Sequence, residues 1–332
     1  MKRLFLSLVA GIIATMSFAQ SSLLATLNHE GTVTTYYGAQ AFSTALNAAA
    51  HGDVITLSSG NFIATNITKA VTIRGAGMMM DADKGISPTT FSGDFTINIP
   101  TDTQEKLTME GIYHNHTISV SGTLQNAMFL KSRFKAFTDG SNCVMKNLSF
   151  IHCMVNDELY CPSNSSISCI NCFIEGPRNS STNSAFEFQN CVIKSHGYGM
   201  TSTISSSFTN CVLYGRNSSF DYLQSSNVAY NCISLNCNGN AFRNIPNSTN
   251  KNNVTDVFVS YTGNTDDSEL FELTETAKTN YKGTDGAEVG IHGGSFPFDA
   301  TPSNPQITKC NVASKSTADG KLSVEIEVNV AE

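Results

Sequence analysis

Seven side chains in the middle of the chain carry the groups from which proton transfer and charge stabilisation are built: Asp157, Glu158, Glu175, Lys194, His196, Tyr214 and Arg216. Carboxylates, an imidazole and an amine exchange protons, and a guanidinium holds a developing anion. Each lies three to five residues beyond a recurring cysteine. A fold that stacks one repeat on the next would bring them to one lateral face within a few rungs. The plainer reading is a set of solvated turn residues, because turns are polar in any fold.

Other candidates are weaker. Lys131, Arg133 and Lys135 alternate, so on one strand they would share a face. Arg133 falls where later repeats carry the cysteine, so either the register shifts there or the trio points outward. An outward stripe could touch an acidic glycan; an ordinary exposed strand face is the alternative. Cys169-x-x-Cys172 has no second pair at zinc-ligand spacing. The chain has no nucleophile elbow, P-loop or His-Glu-x-x-His.

The element that must position these residues is a repeat. Phe150-Ile151-His152-Cys153, Cys169-Ile170-Asn171-Cys172, Phe188-Gln189-Asn190-Cys191, Phe208-Thr209-Asn210-Cys211 and Ala229-Tyr230-Asn231-Cys232 place their last cysteines 19, 19, 20 and 21 residues apart. Leu130-Lys131-Ser132-Arg133 and Met109-Glu110-Gly111-Ile112 are fainter copies one and two periods earlier. Val155, Ile174, Ile193 and Leu213 follow two residues after their cysteines, the alternation of a strand with one buried face. The Leu-x-x-Leu-x-Leu framework of a leucine-rich repeat is missing. A parallel β-helix coil fits. The cysteines would form an inward column of small apolar residues, and the asparagines a ladder of side-chain amides at a bend.

Ahead of the repeat, Gln40 to Ala50 is Ala-rich and amphipathic, a short helix that would cover the open end of the stack. "GDVITLSSGNF" (Gly52–Phe62) and "ITKAVTIRGAG" (Ile67–Gly77) follow. Helix and motifs together resemble the opening of the pectin-lyase-like superfamily of right-handed parallel β-helices, over about Thr35 to Gly294. The resemblance implies the handedness. It also implies that the lateral face could serve a polysaccharide lyase. Lys194 or His196 would then be the base that removes the proton α to a uronate carboxylate, Arg216 the stabiliser of the enolate, and Asp157 with Glu158 a cation site, calcium being the candidate. Asn264-Thr265-Asp266-Asp267 resembles part of a polygalacturonase site, but no further Asp pair, Gly-His-Gly or Arg-x-Lys follows. We read it as a loop.

The expected organisation is all-β: residues 1–19 a signal peptide, 20–296 the β-helix, and 297–332 a C-terminal β segment. Lys2 and Arg3, the apolar Leu4 to Ala14, and small residues before Gln20 support the leader, which points to export to the periplasm, cell surface or medium. Asp285 to Gly294 reads as a final coil. Ile307 to Val312 and Lys321 to Val330 then alternate as a hairpin around Asp319-Gly320, which either caps the stack or forms an appendage. Among Cys143, Cys161, Cys169, Cys237 and Cys310 one disulfide is compatible with export.

The formal net charge of −7 becomes −9 once Lys2 and Arg3 are removed (−7 − 2). With no basic patch, nucleic acid is not an expected partner. No apolar run is long enough for a membrane-spanning helix. Trp is absent, so any sugar would stack on Tyr or Phe. Two functions fit: an exported protein that binds or cleaves a polysaccharide, or a non-catalytic surface or adhesive protein. The few arginines of the mature chain (Arg74, Arg133, Arg178, Arg216 and Arg243) favour the second. A groove lined by the seven residues with a Tyr or Phe alongside would favour the first.

Overall fold

A computed structural model describes residues 23–80, 87–179, 183–197, 199–245, 249–260, 271–312, 315 and 319–329. The expected leader and residues 264–267 lie outside them.

The chain winds as a parallel β-solenoid with two long sheets of eleven strands each. The coils stack in register, so equivalent residues form columns. Inside the first sheet Phe129, Phe150, Cys169, Phe188 and Phe208 are successive partners. The rings of Phe129 and Phe150 stack at 4.7 Å, and those of Phe188 and Phe208 at 5.1 Å. Inside the second sheet the column is His114, Phe134, Val155, Ile174, Ile193 and Leu213. Period-two alternation is what turns these residues to one side.

The corner between the sheets explains the Asn-Cys dipeptide. Asn171, Asn190, Asn210 and Asn231 sit at φ between 49° and 56°, the left-handed region that asparagine tolerates better than most residues. Lys131 and His152 hold the same place at 43° and 52°. There each N–H turns toward the next coil: Asn171 donates to the carbonyl of Gln189, Asn190 to that of Thr209, and Asn210 to that of Tyr230, each at 3.0 Å. The expected amide ladder does not form. Asn171 Nδ2 donates instead to the carbonyls of Ile291 and Gly293, both at 2.8 Å.

The cysteine column is inward, as the spacing predicts. Cys153, Cys172, Cys191, Cys211 and Cys232 are fully buried and unbridged. Each thiol has its single S–H shared between the carbonyl two residues back and one on the preceding coil; for Cys172 these are Ile170 (3.2 Å) and Phe150 (3.3 Å). Burial disfavours the thiolate in all five and holds Cys153, Cys191 and Cys232 well above the ordinary thiol range, while in Cys172 and Cys211 hydrogen bonds from the neighbouring cysteines oppose it. Ser132 does the same job one coil earlier, donating to Leu130 at 2.7 Å. The column position is therefore Ser132, and Arg133 pairs with Met154 one residue beyond it. This breaks up the basic trio. Lys131 occupies the corner, Arg133 is buried over the Tyr113 ring, and Lys135 is exposed beside a bulge between Phe134 and Ala136.

Both ends of the stack are closed. A helix over Ala41–Ala48 buries Phe42, Ala45 and Leu46 against the first coils. Lys69 Nζ donates to the carbonyls of Leu46, Asn47 and Ala49 at its C-terminus. A hairpin of Leu24–His29 and Thr32–Tyr37 extends the first sheet in antiparallel fashion. At the other end, asparagine amides take up the free edge: Asn250 accepts from the N–H of Cys232, and Asn253 from that of Cys237.

Residues 283–304 form a strap that runs back along the corner. Gly290 donates to the carbonyl of Asn210, Lys131 Nζ meets Asp299 at 2.7 Å, Ser303 donates to Glu110, and Asn304 reaches the carbonyl of Gly75. Asp285 to Gly294 thus belong to the strap and not to a final coil. The antiparallel pair Gln306–Val312 and Val324–Asn329 starts where the strap ends, beside the N-terminal coils. It does not begin at the C-terminal end of the stack and so is no cap there. The strap and the residues before it cover an apolar column on the outside of the second sheet, Met154, Phe173, Val192, Val212 and Ile233. Phe271 stacks flat on Phe173 at 4.5 Å.

Candidate functional site

The seven residues divide into three groups. Glu175, Lys194 and Tyr214 are direct partners on neighbouring strands of the second sheet, facing outward. Lys194 Nζ lies 3.3 Å from Glu175 Oε1, both side chains largely covered. Burial pushes Glu175 above the ordinary carboxylate range against the pull of Lys194.

Asp157 and His196 meet two coils apart, with Oδ1 3.3 Å from Nδ1. Gly176 makes this possible. It sits between them at φ 62°, where a Cβ would lie 2.4 Å from the carbonyl oxygen of Asp157 and 3.0 Å from the Cβ of His196. Glu158, the neighbour of Asp157, is held by Arg178, whose guanidinium also lies 4.3 Å over the Tyr160 ring. Asp157, Glu158, Gly176, His196, Gly199 and Ser202 line a cavity of about 110 Å³.

Arg216 stands apart. Its side chain is exposed, while its backbone N–H donates to Asp221 at 2.9 Å. Asp221 is buried and also accepts from Ser195 Oγ and the N–H of Ser218, which fixes the loop after Gly215. Sequence reading missed both Asp221 and Arg178. Arg178 had a signal, since it lies twenty residues after Glu158, one coil away. Asp221 had none, because its partners come from a loop of irregular length.

Among the described residues no three His, Cys, Asp or Glu side chains converge as metal ligands would. Outside the column, burial raises Cys161 and Cys237 to about 12 and Cys143 to about 11, away from the thiolate a nucleophile needs.

A larger concavity lies elsewhere, on the outer side of the first sheet. It holds about 560 Å³ and crosses five coils. Ser149, Ser168, Glu187, Ser207 and Val228 form its floor as successive partners. Asn147, Ser166, Ser205, Ser206 and Ser226 line its side. Several of these are fixed by hydrogen bonds between coils: Ser166 Oγ takes the N–H of Asn147, and Ser226 Oγ that of Ser205. Among the described residues of the lining, Glu187 is the one charge and no cation takes part. Tyr230 is about half exposed, two residues beyond Val228 on the same strand and the same side. The sequence hid this groove because its serines look like ordinary turn and strand-surface residues.

Fold and surface together define a parallel β-solenoid with an apolar outer face covered on the second sheet and an open, serine-bearing groove on the first. Compared with protein-family models, curated proteins and solved structures, the chain gives no match in any of the three. The likeness to pectin-lyase-like proteins therefore rests on the N-terminal motifs and the coil. No helix among the described residues is long and apolar enough to cross a membrane.

Proposed function

We propose that this solenoid binds an extended, uncharged polysaccharide in the serine groove without cleaving it, as an exported protein. The observation that carries the reading is the groove: hydroxyls from four of its five coils, the Asn147 amide, the lone charge of Glu187, and Tyr230 just beyond the lining on the last coil. Hydroxyls both donate and accept, so they match sugar hydroxyls in many orientations. Tyr230 supplies the flat apolar face that a chain without Trp must find elsewhere. The coils repeat every ~4.8 Å, so an extended polymer could meet the same chemistry at each step. With each hydrogen bond contributing about 0.5–1.5 kcal/mol net, we expect dissociation constants of roughly 10 μM to 1 mM. Net negative charge and the lone Glu187 disfavour a polyanion.

The test is a panel of neutral and uronate polysaccharides, with binding followed by calorimetry and affinity electrophoresis. Retention by a neutral glycan that weakens at least about fivefold in Tyr230→Ala and Ser207→Val supports the reading; binding only to uronates, or binding indifferent to both substitutions, removes it.

A second reading keeps catalysis, and the Asp157–His196 contact beside a cavity favours it. In a lyase, His196 would take the proton while Asp157 orients the ring. Lys194 is engaged with Glu175, and neither Arg216 nor Arg178 lines the cavity, so an anionic intermediate would depend on Arg178 turning in from its pair with Glu158. An ultraviolet assay for unsaturated products, with and without calcium and with His196→Ala as control, decides between the readings. Product that disappears with the substitution establishes the lyase.

A further inference from the structure

The N-terminal edge of the first sheet is the strand Thr32–Tyr37, Thr-Val-Thr-Thr-Tyr-Tyr, paired among the described residues on one side only, to Leu24–His29. Edge strands in soluble proteins are usually blunted by charge, proline or a bulge. This one has none of the three: its pairing runs without a register shift from Leu24↔Tyr37 to His29↔Thr32.

The ladder fixes which backbone groups are turned outward. In an antiparallel pair, hydrogen-bonded and non-hydrogen-bonded positions alternate. Gly38 N–H donates to the carbonyl of Leu23, so that pair is hydrogen-bonded. On the other side of the inner strand, Ser58 N–H donates to the carbonyl of Leu24. It follows that Thr32, Thr34 and Tyr36 spend their backbone groups on the inner strand. The N–H and C=O groups of Val33, Thr35 and Tyr37 project from the open edge.

We propose that a second copy of this chain pairs with this edge across a two-fold axis centred on Thr35. Three independent requirements meet in that register. A symmetric antiparallel pair with Thr35 opposite Thr35 sets Val33 opposite Tyr37, so every outward N–H and C=O finds a partner, about six hydrogen bonds in all. Residues directly opposite share a face, and Val33, Thr35 and Tyr37 all belong to the outer face, so the two sheets join with their cores on one side. The side-chain pairs are β-branched with aromatic and threonine with threonine, both favourable across strands. A shift by one residue would lose the hydrogen bonds and turn one core over.

Charge and shape agree. No charge lies along the strand, so no like charges oppose each other despite the chain's net charge of −7. Val33 is 62% exposed and Tyr37 71%, apolar surface that pairing would remove from water. The capping helix shows Thr44, Asn47 and Ala48 outward, small and uncharged, so two caps can approach. The result is two solenoids end to end, with their first sheets continuous. If the serine groove is the glycan site, the two grooves then open on the same side of one rod and can act on one polymer. The pairing itself does not depend on that reading.

The test is sedimentation equilibrium of the purified chain between 1 and 100 μM, beside Thr35→Pro and Thr35→Cys. Proline at Thr35 removes an outward N–H, not an internal one, so circular dichroism and melting should match wild type. We expect twice the monomer mass for wild type, a loss of self-association of more than about tenfold in Thr35→Pro, and a Thr35→Cys dimer that oxidises to a cross-link absent from Thr34→Cys. A wild type that stays monomeric at 100 μM overturns the proposal. So does a dimer that survives Thr35→Pro, since it would use another surface.

Discussion

The outsides of the two long sheets occupy equivalent places on the same coils, yet they are treated in opposite ways. On the second sheet, Met154, Phe173, Val192, Val212 and Ile233 stand outward and are buried under residues 254–258 and 271–300 of the same chain. On the first sheet, Ser149, Ser168, Glu187, Ser207 and Val228 stand outward and form the floor of an open groove. A solenoid cannot thicken its core, so additional apolar surface has to be covered from outside. Burying an aliphatic or aromatic side chain contributes about 1.5–3 kcal/mol, enough to hold the C-terminal segment down over several coils. A column of three serines, a glutamate and a single valine gives that segment little such reward and remains open to a ligand that can replace water. The comparison separates a face used for stability from a face available for binding.

Four substitutions test the separation. Phe173→Ala should show the largest effect. It removes a ring that is fully buried under Phe271, and the expected loss is about 3–5 kcal/mol in chemical denaturation. A loss under about 1 kcal/mol would mean that the cover is not energetically coupled to the sheet.

Next is the acid response of His114, which faces inward between Phe91 and Phe95, its two ring nitrogens without hydrogen-bond partners. Burial, aided by His116, lowers its pKa to about 4. The unfolded chain binds its proton near pH 6.5 and the folded chain only near 4. Stability is therefore complete above pH 6.5 and falls as pH drops toward 4, by about 3 kcal/mol in total. His114→Phe should flatten that slope in urea titrations at pH 4.5 and 7; an unchanged slope would assign the acid sensitivity to other groups.

Cys191→Ser should cost about 1 kcal/mol, because a hydroxyl can reach the carbonyls of Cys169 and Gln189 as Ser132 reaches Leu130. A collapse of the fold would show that the column depends on sulfur for its packing. Smallest of all, Ser168→Ala should leave stability within about 0.5 kcal/mol while weakening glycan binding. A large stability loss there would mean that the groove, too, is part of the scaffold.

Side-chain columns were readable from the chain because a solenoid repeats its environment at a fixed interval. Cys153, Cys172, Cys191, Cys211 and Cys232 announced the coil, and the Ala-rich stretch before Gly52 announced the helix that caps it. The pairing of Glu175 with Lys194 follows from the same period. The period could not say that Ser132, rather than Arg133, continues the cysteine column, because a corner residue in the left-handed region leaves no mark in hydrophobic alternation. Nor could it say that the asparagine amides would bond to a strap more than seventy residues away, that Gly176 would let His196 touch Asp157, or that a line of unremarkable serines would border a groove across five coils. Those outcomes depend on which segment covers which face. Such contacts join distant residues with no fixed spacing, and only the folded chain brings them together.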